Sequence, residues 1–272
     1  MMQHRCPAMT DRPSTRSFLV RHDGPACRAR AFTFIEMLIV ICIIALLATM
    51  TMGGIQFAKQ LAQRAKCSSN LRQLGSAVTL YCGDNNGYFP PYKKPDGNGG
   101  TMWYFGDETT PPGTAEGNRN LDETTGPLYP YITEVGQIEV CPGFNYGSAL
   151  WKPKFKGASY GYGYNWLLGG RTTGIPMHVT QITQATHVIL FADCAQVNTF
   201  QPPASGGHPM IEEFYIVDQT SYTYHFCHGG KCNVLFVDGH VEIFPPYGRV
   251  DRRVASEMVG RITPPGSMDM LK

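Results

Sequence analysis

Between Phe32 and Met52 the chain carries one formally charged side chain, Glu36, and Met37 to Met50 carries none. An apolar stretch of about 20 residues is long enough to cross a bilayer as a helix. Only a segment that satisfies its own backbone hydrogen bonds can do so. A cleaved secretory signal has a shorter core of roughly 7–15 residues followed by a small-residue cleavage site, whereas this run continues into helix-forming sequence. A buried core helix is seldom apolar all round over such a length. Residues 1–30 carry Arg5, Arg12, Arg16, Arg21, Arg28 and Arg30 against Asp11 and Asp23. That excess favours a cytoplasmic N-terminus and an external C-terminal bulk, although Lys59, Arg64, Lys66 and Arg72 beyond the span weaken the asymmetry.

The start of the run has a specific wording: a small residue, Ala31, then Phe32-Thr33-Phe34-Ile35-Glu36 and Met37-Leu38-Ile39-Val40-Ile41. It resembles the processing site of type IV prepilins and type II secretion pseudopilins, with Ala31 where that family usually has Gly and Phe34 where it has Leu. The resemblance implies a cytoplasmic leader over residues 1–31, cut between Ala31 and Phe32 by a prepilin peptidase that also methylates the new Phe32 amine. It further implies a bacterial inner-membrane protein with a single pass, its head periplasmic or extracellular. An ionisable group within a span is costly and ordinarily has a polar partner. A Phe32 α-amino group would be such a partner for Glu36, on the same or a neighbouring subunit, and the pairing would set register between subunits. The plainer alternative is that Glu36 lies at headgroup depth and snorkels.

Helical spacing persists past the span, which takes in residues 32–54. Ile55, Leu61, Leu71, Leu74, Val78 and Tyr81 form a stripe among Lys59, Arg64, Arg72 and Gln73, predicting an amphipathic stalk over 55–84. Gly53-Gly54 reads as a kink or joint, and Gly83 to Gly87 with Pro90-Pro91 as the stop. Straight and wholly helical, Phe32–Cys82 would measure about 75 Å. Cys67-Ser68-Ser69-Asn70-Leu71-Arg72-Gln73-Leu74-Gly75 together with His228, nine residues and Asp238-Gly239 is similar to a large group of bacterial pseudopilin-like proteins. The two signatures stand at opposite ends of the chain, and the middle, about 91–185, matches only loosely.

The expected head covers residues 85–272. Thirty Gly and twenty Pro favour loops and strands over a bundle. Residues 91–125 read as an irregular exposed excursion, and strands are expected at 159–165, 187–193 and 213–217. The hairpin signal is stronger at Asn233–Val237 and His240–Phe244 around Asp238-Gly239, read as a two-residue type I′ turn. With 16% charged residues, a net charge of +2 and no basic run, nothing suggests a nucleic-acid partner. Nine cysteines suit an extracytoplasmic location. Six of them lie beyond the span, and their pairing stays open, except that Cys67 and Cys82 would be about 22 Å apart along one helix.

His228 and Asp238 do not read as a catalytic pair, because an extended strand between them would span about 20 Å. The signature reads instead as architecture: loop residue, strand and the Asp238-Gly239 turn. His225, Cys227, His228, Cys232 and His240 are candidate zinc ligands, but their spacing matches no standard zinc pattern. Asp84-Asn85-Asn86 could offer oxygens to calcium, yet such runs are common after helices. The reading favours no cofactor and no catalytic residue.

The expected fold is α+β, a long N-terminal helix packed on a small antiparallel sheet, as in pilins. The expected role is a non-enzymatic pilin-like subunit of a type II secretion or type IV pilus-like filament. Its expected partners are the peptidase, other pilin-like subunits, the assembly platform and the bilayer. Two alternatives remain: an anchored module binding carbohydrate or protein, and a metal-dependent enzyme using Asp193, His225, His228 and His240.

Overall fold

A computed structural model describes residues 32–109, 114–132, 138–157, 160–217, 222–254 and 257–262. One helix, α1 (Phe34–Asp84), runs through 51 residues. Helical structure runs through Gly53-Gly54; two glycines weaken a helix but do not end one. At its C-terminus Asn86 turns left-handed, with φ 52°, and the Gly87 N–H donates to the Cys82 carbonyl at 2.8 Å. This is the long-range bond of a Schellman cap. Contacts divide the chain into two units that meet between Thr51 and Met52. The described part of the first unit is helical from Phe34, and every residue in it is exposed. Length and composition make α1 capable of crossing a membrane.

The second unit contains the rest of α1 and, among the described residues, β1 (Lys93–Pro95), β2 (Thr101–Trp103), β3 (Gly106–Glu108), β4 (Leu121–Asp122), β5 (Tyr162–Asn165), β6 (Ile189–Asp193) and β7 (Ala195–Asn198). There follow β8 (Met210–Glu213), β9 (Ile216–Val217), β10 (Tyr224–His225), β11 (Cys232–Phe236), β12 (Val241–Phe244), β13 (Tyr247–Asp251) and β14 (Val259–Arg261). The helix-plus-sheet α+β plan is present, but the head is built from several sheets and not from one small one. A five-stranded sheet has the order β12-β11-β6-β5-β9, flanked by β1-β2-β3-β4, β10-β14-β13 and β7-β8. Pairing is antiparallel except between β5 and β9.

Cys67, Leu71, Leu74, Val78 and Cys82 of α1 share one core with Tyr162, Tyr164, Phe191 and Leu235 of the five-stranded sheet. Their spacing keeps them on one helical face. Ile55 and Leu61, which the sequence put on the same stripe, are 65% and 51% exposed. Periodicity identifies an apolar face, but not where its cover begins. Among its described residues the expected excursion at 91–125 contains the four short strands of the β1–β4 meander, held down by buried Trp103, Tyr104 and Phe105. Its strands are too short to show a period of two. The expected strand at 213–217 is split: Glu213 ends β8, and Ile216-Val217 pairs with β5.

The β11–β12 hairpin forms as expected, with Cys232 opposite Phe244 and Leu235 opposite Val241. Its turn differs. Gly239 N–H donates to Phe236 carbonyl and Phe236 N–H to His240 carbonyl, both at 3.0 Å. Gly239 has φ 92°, while Asp238 has no positive φ. This is a three-residue loop with glycine at the left-handed bulge position, not a type I′ turn. The paired positive φ values fall instead at Gly229 and Gly230, 66° and 78°, where His228 N–H donates to Lys231 carbonyl at 3.2 Å.

Candidate functional site

Glu36 is engaged locally at the start of α1. Its Oε2 accepts from the Thr33 N–H at 2.8 Å and from the Thr33 hydroxyl at 2.9 Å. The Glu36 N–H donates back to Thr33 Oγ1 at 3.2 Å. This reciprocal arrangement is a capping box. The Thr-x-x-Glu spacing of residues 33–36 is its sequence signal, and it gives Glu36 a local structural use beside any role between subunits. Phe32 is 68% exposed; Ala31 lies outside the described residues.

The second unit brings together four side chains that the sequence reading did not group: Cys67, Cys141, Asp193 and His228. Their ligand-capable atoms all lie within 4.8 Å of one another, and all four residues are buried. Cys67 comes from α1, Asp193 from the end of β6, and His228 from the turn before β11. Cys141 comes from a loop fastened to the helix. Gln63 Nε2 donates to the Pro142 carbonyl at 2.8 Å, and Asn70 Nδ2 to the Val140 carbonyl at 3.3 Å. Gln63, Cys67 and Asn70 follow an i, i+4, i+7 spacing, so one helical face reads the whole loop.

Within the cluster Cys67 Sγ lies 2.9 Å from Asp193 Oδ1. Cys141 Sγ lies 3.4 Å from His228 Nε2, and Asp193 Oδ2 lies 3.6 Å from the same nitrogen. Asn233 braces the group from β11. Its backbone N–H and Nδ2 donate to Asp193 Oδ2 at 2.7 and 3.1 Å, and Nδ2 is 3.0 Å from Cys67 Sγ. Burial pushes the Asp193 carboxyl up to about 8, with the neighbouring Cys141 adding to the effect and His228 opposing it. Burial likewise drives the Cys67 thiol well above its usual range. Burial also opposes ionisation of Cys141, yet contacts from Cys227, Cys67 and His228 outweigh it and hold that thiol well below its usual range. For His228 burial disfavours the cation, but Cys141 and Asp193 together raise it.

The other sequence candidates lie elsewhere. His225 Nε2 is 2.6 Å from Glu257 Oε2 in a buried pair. His240 Nδ1 is 2.5 Å from Asp238 Oδ1 across the hairpin turn, and the His240 N–H donates to the same oxygen at 3.1 Å. Asp238 therefore serves its own turn and does not meet His228. Cys232 Sγ approaches the Asp193 carbonyl at 3.5 Å, and Cys227 Sγ lies 3.5 Å from Cys141 Sγ. Of the five proposed zinc ligands only His228 belongs to the quartet, because a strand alternates faces and sequence proximity does not converge side chains. Of the four residues of the enzyme alternative, Asp193 and His228 meet. Asp84 Oδ2 accepts from the Tyr131 hydroxyl at 2.9 Å, and Asn85 Nδ2 donates to the Tyr81 carbonyl at 2.8 Å; this run caps the helix. The seven described cysteines carry free thiols.

The chain is similar to the type II secretion system core protein G of Pectobacterium carotovorum subsp. carotovorum, with 38% identity over 61 residues. The match covers 22% of this chain and 39% of that protein. No family model and no solved structure matches.

Proposed function

We propose that this protein is a pilin-like structural subunit, anchored by the apolar half of α1 and assembled through it into a type II secretion or type IV pilus-like filament. The observation that carries this reading is the exposed apolar start of α1 with its single carboxylate at Glu36. The partial similarity to a type II secretion core protein supports it. On this reading a prepilin peptidase removes residues 1–31 and methylates Phe32. Neighbouring subunits then bury the apolar faces of their helices against each other in the membrane. Lipid offers no hydrophobic drive for that association, so packing and polar pairs decide it. The cationic amine of Phe32 and the carboxylate of Glu36 supply such a pair. The head stays outside the bilayer, where its surface gives the subunit its specificity, and it performs no catalysis. The protein's partners are then the peptidase, other pilin-like subunits, the assembly platform and the bilayer.

Replacing Glu36 by Ala tests the reading. Membrane insertion is expected to persist, because the change makes the span more apolar, while incorporation into filaments is lost. Normal incorporation of Glu36→Ala would overturn the assembly role.

A further inference from the structure

We infer that Cys67, Cys141, Asp193 and His228 form a closed structural zinc site that clamps the second half of α1 to the head. A tetrahedral zinc with Zn–S near 2.3 Å and Zn–N or Zn–O near 2.0–2.2 Å sets neighbouring donor atoms about 3.3–3.8 Å apart. The Cys141–His228 and Asp193–His228 distances of 3.4 and 3.6 Å lie in that range. Two thiolates and an imidazole are the soft donors zinc takes, whereas calcium and magnesium require oxygen ligands. Four protein ligands, all buried, would complete a four-coordinate zinc and leave no position for substrate, which is the mark of a structural site; Cys67 Sγ, now 2.9 Å from Asp193 Oδ1, would give up that hydrogen bond to the metal.

Two rival readings fit the geometry less well. In a Cys-His-Asp catalytic relay the acid holds one ring nitrogen and the thiol addresses the other. Here Cys141 and Asp193 both approach Nε2, as ligands of a common cation do. A Cys141–Cys227 disulfide would use sulfurs now 3.5 Å apart, but it leaves Cys67, Asp193 and His228 converging for no purpose. Around the quartet, Asn233 holds both Asp193 and Cys67 by hydrogen bonds, the kind of outer support that orients metal ligands. Gly143 passes so close to the His228 ring that a Cβ there would lie 2.6 Å from Cε1, so the Cys141-Pro142-Gly143 loop seats the ring as well as supplying a thiol.

The site also gives a use to the two signatures at residues 67–75 and 228–239. The first delivers Cys67 and the loop-binding Asn70 from one helical face. The second delivers His228, then the Gly229-Gly230 turn that reverses the chain, then Asn233 on β11. Zinc takes the cysteines as thiolates and the aspartate as a carboxylate, so its affinity for the site falls as the pH is lowered. The inference does not depend on filament assembly.

The test uses the full-length chain purified in detergent under reducing conditions, without chelator. Elemental analysis is expected to find one zinc per chain. Exchange for cobalt should give thiolate-to-cobalt charge-transfer absorption and tetrahedral d–d bands. Cys141→Ser and His228→Ala should lose stoichiometric zinc, and Asn233→Ala should weaken zinc affinity about 10–100-fold. Cys227→Ser should retain both the zinc and the cobalt spectrum. Should the ligand variants misfold, the cobalt spectrum of the unaltered chain decides alone. Failure of that chain to take up stoichiometric zinc on reconstitution would overturn the site, as would cobalt bound without thiolate bands. Loss of metal in Cys227→Ser, or a Cys141–Cys227 disulfide in protein taken from cells, would do the same.

Discussion

Thr33 and Glu36 satisfy each other at the first turn of α1: hydroxyl and N–H of Thr33 on one carboxylate oxygen, and the Glu36 N–H on the Thr33 hydroxyl. In the proposed subunit interface a carboxylate already held this way would be preorganised, without having to find its rotamer. The cap and the proposed intersubunit pair use the same side chain, so they must be separated by experiment.

Thr33→Ala separates them. It removes the hydroxyl of the cap and should cost about 1 kcal/mol at the helix start, while leaving the Glu36 carboxylate available to a neighbour. Filament incorporation is expected to be reduced at most a few-fold in Thr33→Ala and lost in Glu36→Ala. Equal loss in both, measured by co-fractionation of tagged subunits, would mean that Glu36 acts only through the cap.

The hairpin turn depends on Gly239, with φ 92°. Gly239→Ala forces a side chain into the left-handed region and should destabilise the chain by roughly 1–2 kcal/mol, read as a lower denaturant midpoint. Asp238→Ala, which loses only the contact with His240, should cost less. The order reverses if Asp238 has a role beyond the turn.

Lys152 is almost fully buried, with Nζ bonded to Glu116 and 2.7 Å from Glu212 Oε2. Lys154 reaches the other oxygen of Glu212 at 3.0 Å, and Arg119 lies 3.6 Å from Glu116. Lys152→Met leaves the buried Glu212 and the partly buried Glu116 short of a cation, a loss worth about 3–5 kcal/mol when nothing compensates. Lys154 and Arg119 do compensate in part, so the low end of that range is expected in chemical denaturation. Lys152→Met combined with Glu212→Gln should recover part of it.

Glu213 is buried beside the Tyr146 hydroxyl, and burial pushes its carboxyl up to about 8. In the unfolded chain the same group ionises near 4.5, the ordinary value for glutamate, so between those two pH values the folded state holds the extra proton. Stability contributed by Glu213 is therefore present at low pH and lost as pH rises toward about 8. Glu213→Gln removes that dependence. The stability difference between the two proteins should move in favour of Gln as pH rises across this window, and a difference flat with pH would contradict the protonated state of Glu213.

The α1 helix, its C-terminal stop and the β11–β12 hairpin were legible in the sequence, because each rests on local signals: a long apolar run, Asx-Gly punctuation, alternating β-branched residues. The β1–β4 meander was not, because strands of two or three residues carry no period and their aromatic anchors Trp103, Tyr104 and Phe105 read equally well as loop. The Cys67–Cys141–Asp193–His228 quartet was hidden for a different reason. A ligand search along the sequence favours near neighbours, as at residues 225–232. The fold instead draws one donor from each of four distant segments. Cys67 and Asn70 on one helical face, facing a Cys-Pro loop, were the signal present in the sequence, and it needed the sheet to be interpreted.

Mass and N-terminal sequence of the mature chain, isolated from membranes of its own host, test the proposed assembly role most directly. The account predicts a chain that begins at Phe32 with a methylated α-amino group, available to pair with Glu36. A mature chain that keeps residues 1–31 would contradict it, since no amine would then stand beside the carboxylate.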